Sequence, residues 1–143
     1  MNPVEFKQWL EVRTCAFAID SLKLLDALPK KNSTQIVAFQ LGKSSSSVGA
    51  NYREANRAES REDFGHKLQI ALKESSESVY WLEILSDLYP MHEAFRTNLQ
   101  ECVELRNLLQ SISRSVRRKI PNPKSNNLKS NNQTILNQAI KQS

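Results

Sequence analysis

Helix breakers are scarce in this chain, and they fall where long helices would have to stop. The 143 residues include 3 Gly and 5 Pro, the prolines being Pro3, Pro29, Pro90, Pro121 and Pro123. Between those points apolar residues recur every three or four positions, the spacing of one face of an α-helix. A proline inside such a stretch would remove a hydrogen bond and clash with the preceding turn, so the borders set the element lengths. The chain is predicted to be all-α.

Four helices read out with their punctuation. The first runs from Pro3 to about Leu28, with Asn2 as N-cap and Glu5 closing a capping box. Pro29-Lys30-Lys31 ends it. The second follows Asn32, to which Gln35 can cap back, and continues to about Ala58. Gly42, Gly49 and the run Ser44 to Ser47 lower its helix propensity, so packing must sustain it. Ser60 opens the third, with Glu62 and Asp63 at the positive end of the helix dipole. It runs to Leu88, where Tyr89-Pro90 breaks it, and the fourth spans about Met91 to Arg118. Short turns between long helices force antiparallel neighbours. An up-down-up-down four-helix bundle over residues 1–118 is expected, followed by a basic tail over 119–143. That Asn/Ser/Lys-rich tail has too few apolar side chains to offset ordering its backbone, so it is expected to be disordered, with a transient helix over 132–142.

Charge divides along the same border. Residues 1–113 carry 13 Lys and Arg against 15 Asp and Glu, whereas residues 114–143 carry seven Lys and Arg and no acid. Such an arm is either a nucleic-acid contact or a solvated tail. Arg53, Arg57 and Arg61 recur every four residues and form one ridge if the second helix persists to Arg61. With Arg114, Arg117, Arg118 and Lys119 at the end of the fourth helix, they give two candidate basic surfaces. Intrahelical pairing of the ridge with Glu54 or Glu62 is the alternative. Neither surface shows the aromatic interleaving of a single-strand stacking platform.

Two helices are apolar on more than one side. In the first, Phe6, Leu10, Phe17, Leu24 and Leu28 line one face, and Val12, Cys15, Ile19 and Leu22 line the other. In the third, Phe64, Leu68, Ala71, Ser75, Val79 and Leu82 form one stripe, and Ile70, Trp81, Ile84 and Leu88 a second. A bundle helix needs a single core stripe, so Val12, Ile19, Leu22, Trp81 and Ile84 are predicted to bury against another copy. The second helix offers a seam of Val37, Leu41, Ser44, Val48, Tyr52 and Ala55. Glu74 and Glu77 lie within the third helix's second stripe, where a carboxylate is costly to bury without a donor. They could perform acid/base work. The preferred reading puts them with Asn51 and Glu54 in a polar network that fixes helix register or a subunit contact.

Several function classes are excluded. No GxGxxG or GxxxxGK loop is present, which removes Rossmann and P-loop nucleotide enzymes. The Glu-x-x-His pairs of a di-iron bundle fail, because His66 follows Asp63 by three and His92 has Tyr89 at the matching position. No catalytic constellation and no cofactor or metal site is expected. Cys15 and Cys102 read as reduced core residues, with a disulfide left open if their helices are neighbours. Neither a signal peptide nor a membrane span is legible, so a cytoplasmic protein without membrane contact is expected.

The segment Ser47-Val48-Gly49-Ala50-Asn51-Tyr52-Arg53-Glu54-Ala55, followed by Ser60-Arg61-Glu62-Asp63-Phe64, resembles the bacterial four helix bundle protein family, also called 23S ribosomal RNA intervening-sequence proteins. Lys67 to Ser75, with Glu77 and Trp81-Leu82-Glu83, continues the pattern. The family motif commonly reads Ala-Asn-x-x-Glu-Gly, and Ala55 stands here where that glycine would be. The resemblance spans roughly residues 5–118. It implies an antiparallel bundle that assembles into a homo-oligomeric ring, typically a pentamer, with no established enzymatic activity. A similar-fold accessory protein of retroelements binds nucleic acid and a reverse transcriptase, so RNA, DNA or such a protein are the implied partners. The competing expectation is a protein–protein scaffold or adaptor with no nucleic-acid role.

Overall fold

The computed structural model describes residues 1–119. Four helices occupy them: α1 (Pro3–Asp26), α2 (Asn32–Asn56), α3 (Arg61–Leu88) and α4 (Glu93–Lys119). Each packs on the next, and α4 returns to α1, with no diagonal contacts. That cyclic adjacency, with loops of four or five residues, is the expected antiparallel four-helix bundle. No described helix is long and apolar enough to cross a membrane.

The caps explain most of the borders. Asn2 Oδ1 accepts from the Glu5 N–H at 2.9 Å while Glu5 accepts from the Asn2 N–H at 3.1 Å, the predicted capping box. Ser60 Oγ likewise accepts from the Asp63 N–H at 3.0 Å. At α2 the expected Asn32–Gln35 cap is replaced one residue earlier. Lys31 is the N-cap, and its N–H donates to Thr34 Oγ1 at 3.0 Å. Buried Thr34 also donates to the Pro29 carbonyl, tying the loop to the helix. α1 stops at Asp26, and α4 begins at Glu93 after a turn in which the His92 N–H donates to the Tyr89 carbonyl. The tail beyond Lys119, including the possible helix over 132–142, lies outside the described residues.

Inside, Leu10, Phe17, Leu41, Val48, Tyr52, Leu68, Leu82, Leu85, Cys102, Leu105 and Leu109 form one continuous core. The predicted α2 seam is buried throughout, as is most of the first α3 stripe. Both cysteines are free thiols; burial pushes the Cys102 thiol up to about 12. Small and hydroxylated residues set the helix spacing. Thr14 and Ser21 bond back to the Leu10 and Phe17 carbonyls, Ser78 donates to Ser44 across α2 and α3, and Asn98 donates to Ser21 across α4 and α1. At the α1–α2 crossing, a Cβ added to Gly49 would meet Thr14 Oγ1 at 3.0 Å. The crossing is tight enough that a side chain at Gly49 would require Thr14 to give by a few tenths of an ångström.

Two predicted outer stripes fare differently. On α1, Val12, Ile19 and Leu22 remain 69%, 48% and 46% exposed. On α3, Trp81 and Ile84 are half-buried and pack against the core, while Ile70 and Leu88 of the same stripe stay exposed, Leu88 by 50%. The sequence reading missed the free apolar surface of α2, where Ile36 and Phe39 are exposed, Phe39 by 68%.

Candidate nucleic-acid interface

Antiparallel packing fixes which segments share an end. The first turns of α1 and α3 and the last turns of α2 and α4 lie together, with Gly65 of α3 close against Val116 of α4. All seven predicted basic residues therefore belong to one end of the bundle. The two surfaces read from the sequence are sectors of a single one.

The expected ridge of Arg53, Arg57 and Arg61 is not formed. It required one unbroken helix, whereas α2 ends at Asn56. Arg57 is the C-cap, its N–H tightened onto the Glu54 and Ala55 carbonyls, and Ser60 then starts a new helix axis before Arg61. The three arginines sit on a helix end, a cap and a helix start, all exposed. Acids are mixed among them at Glu54, Glu59 and Glu62. On α4 the pattern is cleaner. Arg114, Arg117, Arg118 and Lys119 are exposed in its last turns with no acid among them. Cations there also complement the negative end of the helix dipole.

Between these sectors lies an apolar recess of about 350 Å³, lined by Met1, Asn2, Pro3, Phe6, Lys7, Tyr52, Phe64 and Ile112. Its aromatic members come from three different helices. Phe6 continues into Trp9, their ring centroids 5.6 Å apart, and the Arg13 guanidinium stands 5.2 Å from the Trp9 ring centroid. The sequence reading found no aromatic interleaving at the basic surfaces and did not single out this group. The usable signal was topological: in an antiparallel bundle Phe6, Tyr52 and Phe64 must share an end.

Arg13 was missed as well. Its guanidinium closes the α1–α4 seam with a fork onto Glu101, Nε to Oε1 at 2.7 Å and Nη2 to Oε2 at 2.8 Å, and a further bond to Glu104. Those bonds, Glu101 first, hold its pKa above the ordinary arginine value.

The proposed polar network is not linked within one chain. Asn51 donates to the Ser47 carbonyl of its own helix, Glu54 and Glu77 are exposed, and the buried Oε2 of Glu74 has no partner. Burial, then the neighbouring Glu77, raises the Glu74 pKa against the pull of Lys43 and Lys73.

Comparison with known proteins places this architecture. The model of the 23S rRNA-intervening sequence protein family matches residues 8–111. A crystal structure of a protein of unknown function from the S23 ribosomal protein family of Bacteroides thetaiotaomicron is 35% identical. The alignment covers 97% of that chain and 73% of this one, with a TM-score of 0.67. None of the curated proteins matches.

Proposed function

The chain belongs to the 23S rRNA-intervening sequence protein family, and from that premise we propose that it is a non-enzymatic, self-associating module that holds RNA or DNA by its phosphates. One observation carries the reading: Arg53, Arg57, Arg61, Arg114, Arg117, Arg118 and Lys119 are gathered at one end of the bundle from three helices. Phosphate contacts position a nucleic acid without reading its sequence, so the binding is largely sequence-independent. In sequence, the stretch beyond Lys119 carries Lys124, Lys129 and Lys141 and no acid.

Self-association is supported by the exposed Val12, Ile19 and Leu22 on α1, together with Ile36 and Phe39 on α2. In a ring of five, the assembly that the family resemblance implies, these two faces are the proposed contacts between copies. Those same faces favour the second reading, a protein–protein scaffold whose basic end only keeps it soluble.

Salt separates the two. Each neutralised phosphate contributes about −0.7 to −0.9 to the slope of log affinity against log salt. Fluorescence anisotropy with a structured RNA should give a slope of roughly −3 or steeper. Affinity unchanged between low and moderate salt overturns the nucleic-acid reading and leaves the scaffold.

A further inference from the structure

We propose that the recess at the basic end receives an unpaired nucleobase, so that this module selects single-stranded or looped nucleic acid over duplex. The inference rests on the nucleic-acid reading above and adds to it the form of nucleic acid bound.

Three observations converge. The recess is apolar and aromatic, with Phe6 and Phe64 half-buried on its walls and Tyr52 at its base, 1% exposed. Its size of about 350 Å³ is at the lower end of the roughly 300–1,000 Å³ of small-ligand sites, which suits a base and not a helix. Cations stand at its edge: Lys7 lines it, and Arg61 precedes Phe64 by three, on the same face of α3. Apolar surface with cations at its edge is what a nucleotide complements, with the flat base inside and the phosphates at the rim.

A duplex cannot use the recess, because its bases are stacked and paired out of reach. A single strand can, and Trp9 beside Phe6 offers the next base a second ring. Base–aromatic stacking of this kind tolerates any sequence, since every base has a π-face. Exposed Trp9 also carries Arg13 against its ring, so a base stacking there meets a ring backed by a cation.

The test compares a short oligoadenylate with a blunt RNA duplex of equal phosphate number, using the full chain. Wild type should bind the oligoadenylate more tightly. Phe64→Leu should weaken that binding about tenfold, the scale of one lost stacking contact, and leave duplex binding and the salt slope unchanged. Phe64→Tyr keeps a ring and should retain the single-strand preference, which a purely structural role for Phe64 would not require. Trp9 emission, read in a Trp81→Phe background, should be quenched by the oligoadenylate and not by the duplex. Equal, salt-sensitive binding of both nucleic acids, or equal losses on both in Phe64→Leu, overturns this inference and leaves the phosphate-binding reading standing. Failure of both nucleic acids to bind at low salt overturns the two together.

Discussion

The two ends of the bundle are made from the same four helices and present opposite surfaces. At one end exposed arginines from three helices share the end with an aromatic recess. At the other, Ile36, Phe39, Tyr80, Leu88 and Met91 are exposed beside Glu83, Asp87 and Glu93, with Lys23, Lys30, Lys31 and Arg96 scattered among them. Neither surface is contiguous in sequence. Each exists because alternating helix directions bring chain segments dozens of residues apart to the same height. Surface chemistry in this protein is therefore a property of topology, and the two ends are separable in principle: one for charge and stacking, one for apolar contact.

That separation can be broken most severely at the basic end. Replacing Arg114, Arg117 and Arg118 by Ala should lower RNA affinity by well over tenfold at moderate salt and make the salt slope shallower by about 2–3. Light scattering should report an unchanged mass. The converse change, Ile36→Asp with Phe39→Asp, should reduce the assembly mass toward 16.4 kDa per particle while RNA affinity per chain persists. If either change moves both readouts equally, the ends are not independent. Gly49→Ala falls between them. Its Cβ would meet both Oγ1 and Cβ of Thr14, at 3.0 and 3.2 Å, so Thr14 must give by a few tenths of an ångström. That strain opposes the roughly 1 kcal/mol alanine gains over glycine inside a helix, so the Tm should move by only a few degrees, without preference for either end.

The smallest effect comes from Glu74. Its pKa is raised in the folded state, by burial first and Glu77 second, so the native protein holds this proton more tightly than the unfolded chain. The stability tied to that proton is complete below the ordinary carboxylate range and is lost as pH rises through the raised value. Glu74→Gln should remove this decline. Thermal melts across a pH series should show the variant ahead of wild type near neutrality and the two converging in acid.

Much of the fold was legible because each local signal agreed with the next. The Asn2–Glu5 box, the Ser60 cap and the breaks at Pro29 and Pro90 delimit helices whose apolar faces match the observed core. Borders slipped where a second local bond outcompeted the expected cap, as when Thr34 turned inward to the Pro29 carbonyl and started α2 from Lys31. The site was legible in composition and not in shape. Arginine spacing suggested a ridge because a four-residue repeat assumes one helix axis, and the Ser60 cap changes axis between Arg57 and Arg61. Periodicity put Trp81 and Ile84 on one stripe with Ile70 and Leu88, and it does not tell which positions along a stripe the neighbouring helices cover. Arg13 has no local signature at all, since its partner Glu101 lies 88 residues away.

The Arg13 seam also bears on how the chain folds. Every other helix contact joins consecutive elements through a short loop, so three helical hairpins can form with little entropic cost. The α1–α4 contact must close a loop of most of the chain, and the penalty grows with the logarithm of its length. The seam is expected to close last, after the rate-limiting step, and a slowed refolding in the variant below would overturn that order. An interaction made after that step acts on unfolding alone: Arg13→Ala should shorten the lifetime of the native bundle in stopped-flow unfolding and leave its refolding rate where it was.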